Sequence, residues 1–411
     1  MQDNEHAQSP LEKGPPMDKP VIINGVRTAI GRFGGGFKDF SAADLGGVAI
    51  KEALKRSNVD PATVDEVAVG NVLQLNNDSY TARLSALNGG VPKEVPAFTI
   101  NRWCSSGLEA INFGAQLIMT GEAEVVVGVG TENMSQTPYL IPYQARWDGL
   151  RLGDATLKDG MIGVLNCPVN HYHMGVTAEN VASRYEVSRE EQDKLSVLSQ
   201  QRAGRAVKEG RFKHQIVPIA IPQRKGDPKI IDTDEHIRPD TTLEGLTKLQ
   251  PAFKKGGTVT AGNASGLNDG AAAVVMMSAA KAKSLGLKPR LRWYARAVAG
   301  VDPSEMGTGP VPAVRKLLKK TGMSVKDIDV IELNEAFAAQ AAYCIRELGL
   351  DIEKTNINGS GISLGHPVGA TGAIMTVKAM EELERTGGEF ALVTMCVGGG
   401  QGVATLFQRL N

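Results

Sequence analysis

No apolar run in the 411-residue chain approaches the roughly 18 residues that a membrane span needs. Cysteine is scarce: Cys104, Cys167, Cys344 and Cys396, with no Cys-x-x-Cys pair. That is too few for a disulfide scaffold at this length, so reduced, cytoplasmic thiols are the expectation. Net charge is missing as well. Lys+Arg and Asp+Glu number 45 each, which argues against a nucleic-acid binder held by a broadly basic surface. No Gly-Lys dipeptide occurs anywhere, so a nucleotide P-loop is excluded. The N-terminal segment has neither an apolar stretch nor an arginine, and neither a secretory signal nor a transit peptide fits it. Residues 1–18 read as a polar, disordered tail, and Met17 as an alternative start just ahead of the first strand.

What the chain has in excess is glycine, 47 of 411 residues against a typical share of about 7%. Eleven glycines fall between Gly359 and Gly402. Their spacing is irregular and broken by apolar runs, so collagen and flexible linkers are excluded. Concentrated glycine in a globular chain signals tight turns and close backbone approach. The 42% hydrophobic and 22% charged residues describe an ordinary folded protein of two or three domains.

The sequence also repeats itself. In the first half a helical pattern (Ala42 to Ser57) leads to an apolar strand, Glu66 to Gly70. In the second, Val311 to Lys320 leads to Asp329–Leu333. Pro96–Ile100 then runs into Asn101-Arg-Trp-Cys-Ser-Ser-Gly107, a helix and the strand Glu124–Gly128. The counterpart is Thr355–Ile357, running into a Gly/Ser turn with Gly365-His-Pro367, a helix from about Ala370 and the strand Phe390–Thr394. Strands alternating with helices predict βαβ units with buried parallel strands. Two copies predict an internal duplication with a site where the copies meet. Residues 136–256 fit neither copy and read as an insertion. They hold one well-marked helix, opened by the Ser188/Glu191 capping box and running to about Gly210. A basic stretch from Arg202 to Lys229 is either a solvated face or a seat for a phosphate-bearing ligand. The apolar Ala271–Met277 after the insertion is expected to be a buried strand.

Three side chains suggest chemistry. Cys104 follows a strand at a helix start, where free N–H groups are expected to lower its thiol pKa. His366 sits between Gly365 and Pro367 and is a candidate base. Cys396 ends a strand and opens into Val397-Gly-Gly-Gly400, whose N–H groups can face an anion. Asn334-Glu-Ala-Phe337 offers an amide at another strand end. Other patterns carry less. Gly361-Ile-Ser-Leu-Gly365 matches a nucleophile elbow, but no acid and histidine follow Ser363 in the required order. Gly128 and Gly130 lack the third glycine of a dinucleotide fingerprint. His171 and His173 have no completing ligands for a metal. His6, His214 and His236 read as surface residues.

Taken together, Asn101–Gly107, Asn334–Phe337, Gly365-His-Pro-x-Gly-Ala-Thr-Gly372 and Cys396-Val-Gly-Gly-Gly400 resemble the thiolase family, from about Lys19 to the end. The Asn170–Glu179 segment, with His173-Met174, is similar to biosynthetic acetyl-CoA acetyltransferases and short-chain β-ketothiolases. The resemblance implies an α/β thiolase fold: two duplicated βαβαβαββ halves forming a five-layer αβαβα core, with an inserted loop domain. Residues 19–135 with 257–288 would form the N-terminal half and 289–411 the C-terminal half. Residues 136–256 would serve CoA binding and tetramerisation.

The same resemblance implies reversible condensation of two acyl-CoA molecules to 3-oxoacyl-CoA and CoA, by a ping-pong route. Cys104 would carry the acyl group and His366 would accept its proton. Cys396 would move the α-proton of the second substrate, and Asn334 would hold a water at the enolate. The N–H groups of Cys104 and Gly398 would form an oxyanion hole. Leu165, His173, Met174, Phe253, Ala261, Ser265, Met306, Ala336 and Phe337 would line the pantetheine and acyl pocket, with Arg238 near the adenine. No metal and no resident cofactor are implied; acetyl-CoA, other acyl-CoA and CoA are substrates, and the partner would be a second copy in a homotetramer. A degradative 3-ketoacyl-CoA thiolase of longer chain range is the alternative. A decarboxylating β-ketoacyl synthase lacks the second cysteine, and a non-catalytic acyl-CoA binder would not need the full set. Two positions depart from the common family pattern: Glu109 stands where many relatives have Gln, and Trp103 where smaller apolar residues are common.

Overall fold

A computed structural model describes residues 19–75 and 79–410. The tail assigned to residues 1–18, and His6 within it, lie outside the described residues. The first half runs β1 (Pro20–Thr28), α1 (Ala42–Ser57), β2 (Glu66–Gly70), α2 (Thr81–Asn88), β3 (Ala97–Ile100), α3 (Ser106–Thr120) and β4 (Val125–Asn133). Two long helices follow in the insertion, α4 (Met174–Arg184) and α5 (Arg189–Lys208), and then β5 (Asn268–Ser278). The second half runs β6 (Leu291–Gly300), α6 (Pro310–Thr321), β7 (Val330–Leu333), α7 (Ala338–Leu348), α8 (Thr371–Thr386), β8 (Phe390–Val397) and β9 (Gln401–Arg409).

The strand order β3-β2-β4-β5-β1 in the first half is repeated as β7-β8-β9-β6 in the second. The place of β3 is taken by a single bridge, Thr355 to Ile331. The expected strand at Thr355–Ile357 is therefore not a strand. Asn356 adopts a left-handed φ of 51°, which ends extended pairing, and its amide instead bonds the Leu333 carbonyl and Glu335. Two other strands are longer than expected, because the apolar runs at 124–128 and 271–277 continue in extended pairing as β4 and β5.

The two sheets join edge to edge through a short β1–β6 ladder, Val21 with Arg292 and Ile22 with Leu291. Helices α1 and α2 cover the outer face of the first sheet, and α6 with α7 lie outside the second. Between the sheets α3 packs on α8, giving the five layers. The interior position of α3 shows in its polar contacts: Asn112 accepts from Trp293 of β6 at 2.8 Å and from Thr405 of β9 at 3.0 Å. Both partners belong to the opposite half.

A buried charged network fixes α8 to the second sheet. Lys378 Nζ donates to Glu332 at 2.7 Å and to the Gly359 carbonyl at 2.6 Å. Burial pushes the Glu332 carboxyl up to about 7, although Lys378 pulls it down. Arg27 and Asp234 form a second fully buried pair, tying β1 to the insertion.

Although inserted in the first half, α4 and α5 pack on α7 of the second. The capping box on α5 forms as expected: Ser188 accepts from Glu191 N, and Glu191 accepts from Ser188 N. Glu179 of α4 receives the backbone N–H groups of Thr258 and Val259 at 2.8–3.0 Å. This pins the segment that follows the insertion to the insertion's own helix.

Candidate active site

The chain places its candidate groups at the carboxyl ends of parallel strands, where open α/β sheets gather ligands. Cys104 lies in the turn from β3 to α3. Asn334 follows β7, Cys396 lies near the end of β8, and His366 sits in the loop before α8. The Cys104 and His366 loops occupy equivalent places in the two halves. They meet on a cavity of about 70 Å³ lined by Trp103, Cys104, Val164, Leu165, His173, Met174, Ser265, Met306, Ala336, Phe337, His366, Val368 and Gly398. Two halves thus contribute one site.

Glycine makes that meeting possible. A Cβ on Gly107 would come within 2.7 Å of the Gly369 carbonyl and 3.1 Å of Gly130 Cα. The start of α3 is packed against the loop that carries His366. Side-chain-free backbone is what lets the two loops touch.

Cys104 is 8% exposed. Its expected low thiol pKa is not found: burial pushes it up to about 11, and the Glu132 carboxylate adds to the rise. The helix begins only at Ser106, so Cys104 lies ahead of the first turn rather than on it. Two groups oppose the rise, the N–H of Gly398 and that of Cys104 itself, both directed at the sulfur. Cys396 is fully buried, and its thiol is also held neutral by burial, with further contributions from Cys104 and Cys344.

His366 is 6% exposed, and burial lowers its pKa to about 4, so the imidazole is neutral. Its tautomer follows from the partners. Thr371 Oγ1 donates its one proton to the Pro367 carbonyl at 3.0 Å. With the proton so placed, the same oxygen, 2.7 Å from His366 Nδ1, accepts there and Nδ1 carries the hydrogen. Nε2 then presents its lone pair to the Asn334 amide nitrogen at 3.4 Å, which donates to it. Asn268 on β5 fixes the backbone by accepting from His366 N at 2.9 Å. Asn334 Oδ1 is buried with no hydrogen-bond partner among the described residues.

Most of the expected binding residues line the cavity: Leu165, His173, Met174, Ser265, Met306, Ala336 and Phe337. Phe253 stands one layer back, with its ring stacked on His173 at 4.6 Å and edge-on to Phe337 at 6.0 Å. His173 also caps α4, accepting from Gly175 N at 2.9 Å. Ala261 and Arg238 are exposed and do not reach the cavity. The basic stretch is divided in role. Arg202 is buried and donates to the Ile352 and Thr355 carbonyls, and Arg211 is held by Glu209 and Asn358. Arg205, Lys208, Lys213, Arg224, Lys225 and Lys229 are exposed.

His236 is not a surface residue. It is half-buried against Gly266, and burial lowers its pKa. Ser363 is buried and bonded to Ser199 at 2.8 Å and to the Ser360 backbone, with no histidine on its hydroxyl among the described residues.

Sequence reasoning did not find Thr371, Val164 and Val368. Thr371 stands within the Gly365–Gly372 motif, five residues after His366, and that spacing was its only signal. Glu109 is fully buried and meets Arg296 at 2.5 Å, a pairing that joins α3 to the second half.

The duplicated layered core and this two-loop site define a thiolase, and the chain belongs to that family. The family models for the thiolase N-terminal domain and the thiolase C-terminal domain match residues 20–280 and 287–409. Among curated relatives it is 55% identical to the β-ketothiolase BktB of Cupriavidus necator, over 95% of this chain and 99% of that protein. It is 50% identical to an acetyl-CoA acetyltransferase of Pseudomonas aeruginosa, over 96% and 100%. Among solved structures it resembles the acetyl-CoA acetyltransferase of Bacillus anthracis, with a TM-score of 0.93 and 48% identity over 96% of this chain and 100% of that one. Human mitochondrial 3-ketoacyl-CoA thiolase in complex with CoA gives a TM-score of 0.92 at 46% identity, covering 96% and 99%.

Proposed function

We propose that the protein is an acyltransferase of the acetyl-CoA C-acetyltransferase type. It joins two acyl-CoA molecules into 3-oxoacyl-CoA and CoA, and runs in reverse as a thiolase. The observation that carries this reading is the convergence of Cys104 and His366, from equivalent turns of the two halves, on one cavity.

The groups act in a fixed order. His366 Nε2 takes the Cys104 proton as the sulfur attacks a thioester carbonyl. The developing oxyanion would receive the N–H groups of Gly398 and Cys104, which in the resting protein point at the Cys104 sulfur beside it. CoA leaves with the proton from His366, and the acyl group remains on Cys104. Cys396 gives its own proton to His366 Nε2 and, as the thiolate, removes the α-proton of a second acyl-CoA. The enolate oxygen is stabilised by His366 and by a water on Asn334. The enolate carbon attacks the acyl-Cys104 carbonyl, the new C–C bond forms and the Cys104 sulfur leaves, to be reprotonated. Side chains and substrate thioesters complete the chemistry without a resident metal or cofactor.

CoA would run outward past Ser265, His173, Met174 and Phe253 toward the insertion, with Ala261 and Arg238 beyond the cavity. The exposed basic residues there would meet its phosphates. The relatives named acetyl-CoA acetyltransferase favour a short acyl group, and the likeness to a 3-ketoacyl-CoA thiolase keeps the longer-chain reading in view. A thiolysis assay over 3-oxoacyl-CoA lengths separates them. Fastest turnover of acetoacetyl-CoA supports the first, and a maximum at six carbons or more supports the second. Cys396→Ala should abolish condensation while Cys104 still becomes acylated. Loss of acylation itself would contradict the role given to Cys396.

The assembly proposed is a homotetramer in the cytoplasm. The insertion exposes Tyr139, Tyr143, Trp147, Leu150 and Leu152 close together in sequence, an apolar display that a partner copy would cover. No helix among the described residues is long and apolar enough to cross a membrane.

A further inference from the structure

Trp103 precedes the nucleophile in a left-handed conformation, φ 45°. That backbone is unfavourable for a bulky residue and persists only where its surroundings enforce it. Three contacts do so. Trp103 N donates to Asn101 Oδ1 at 3.0 Å, and the indole Nε1 donates to the Val164 carbonyl at 3.2 Å. The ring also lies against Gly398, where any Cβ would collide with it. The indole therefore spans the gap between the Cys396–Gly400 loop and the insertion. It forms a wall of the cavity beside Cys104.

We propose that Trp103 sets the upper size of the acyl group that Cys104 can carry. The inference rests on Cys104 being the acylated residue. The ring fills space next to the sulfur, and its hydrogen bond to Val164 stops it from swinging aside. The α-carbon chemistry of the second substrate occurs toward Cys396, which does not line this cavity. The two ends of a 3-oxoacyl-CoA are thus read by different walls.

The bond broken in thiolysis makes this testable. Attack by Cys104 on C3 breaks the C2–C3 bond, and the C2 carbanion is protonated and leaves on CoA. Acetoacetyl-CoA loads acetyl onto Cys104, and 3-oxohexanoyl-CoA loads butyryl. 2-Methylacetoacetyl-CoA again loads acetyl, and its extra methyl departs with propionyl-CoA. Trp103→Leu should raise kcat/KM for 3-oxohexanoyl-CoA relative to acetoacetyl-CoA by about tenfold or more, the scale of one or two methylenes in an apolar pocket. The ratio of 2-methylacetoacetyl-CoA to acetoacetyl-CoA should stay within about twofold. Trp103→Phe, which keeps an aromatic ring but loses the indole donor, should shift the first ratio in the same direction by less, and it serves if the leucine variant does not fold. An unchanged hexanoyl ratio, or equal changes in both ratios, would overturn the proposal. If the unaltered protein neither cleaves acetoacetyl-CoA nor forms an acyl-Cys104 adduct, it is the proposed function that fails.

Discussion

At the scale of single residues, the candidate site combines two neutral partners. The Cys104 thiol is pushed up to about 11 and the His366 imidazole down to about 4, both by burial. A resting ion pair would cost desolvation of two charges, so the proton should move only as substrate charge develops. The pH consequence has a definite sign. His366 is unprotonated above about 4 and loses its accepting lone pair only as pH falls through that value. Cys104 ionises only as pH rises toward 11. Alkylation of Cys104 by iodoacetamide should therefore climb steadily from pH 7 to pH 10, with no plateau. A plateau reached below pH 8 would mean a resting thiolate and would contradict this electrostatic picture. Cys104, His366 and Cys396 were legible because each lies in a Gly-rich turn that ordinary packing does not require. The pKa of Cys104 was not, because burial depends on how deeply distant elements cover the thiol. Thr371 was hidden for a related reason: its contact with His366 Nδ1 exists only once the loop before α8 is folded.

At the scale of elements, the helices and strands were read well where their periodicity was unbroken. Helix α1 follows its apolar pattern from Ala42 to Ser57, and α5 starts at its capping box. The missing strand at Thr355 fails on one dihedral, that of Asn356, which no apolar pattern reveals. The Lys378–Glu332 pair was equally illegible, since lysine and glutamate on separate elements give no local sign of meeting. Its energetics can be tested. Breaking a buried pair from one side costs about 3–5 kcal/mol, and Lys378→Met should approach that in urea unfolding at pH 8. Without Lys378, the Glu332 carboxyl would rise further above its ordinary value. The folded state would then hold a proton that the unfolded state releases, so the penalty grows with rising pH and shrinks as pH falls. The deficit against the unaltered protein should be much smaller at pH 5.5 than at pH 8. A deficit independent of pH would show that Glu332 is not the group left uncompensated.

At the scale of the whole molecule, duplication explains why one site draws on two halves. Equivalent turns ahead of α3 and α8 carry Cys104 and His366, and those helices pack together between the sheets. The repeat was readable from sequence, but the edge-to-edge junction at β1 and β6 was not, because it rests on two ladder pairs. The insertion was located by its misfit to either copy. Its docking on the second half required the contacts of α4 and α5. If the insertion's exposed apolar segment joins copies, replacing Tyr143, Trp147 and Leu150 by serine should lower the solution mass from tetramer to dimer in light scattering, with the catalytic groups intact. An unchanged tetramer would place the interface elsewhere.

The most direct measurement of the central claim is mass spectrometry of the protein after brief exposure to acetyl-CoA. One acetyl group should appear, on the peptide that contains Cys104. It should persist in Cys396→Ala and be absent in Cys104→Ala. Acetylation confined to another residue, or full acetoacetyl-CoA thiolysis by Cys104→Ala, would contradict the account.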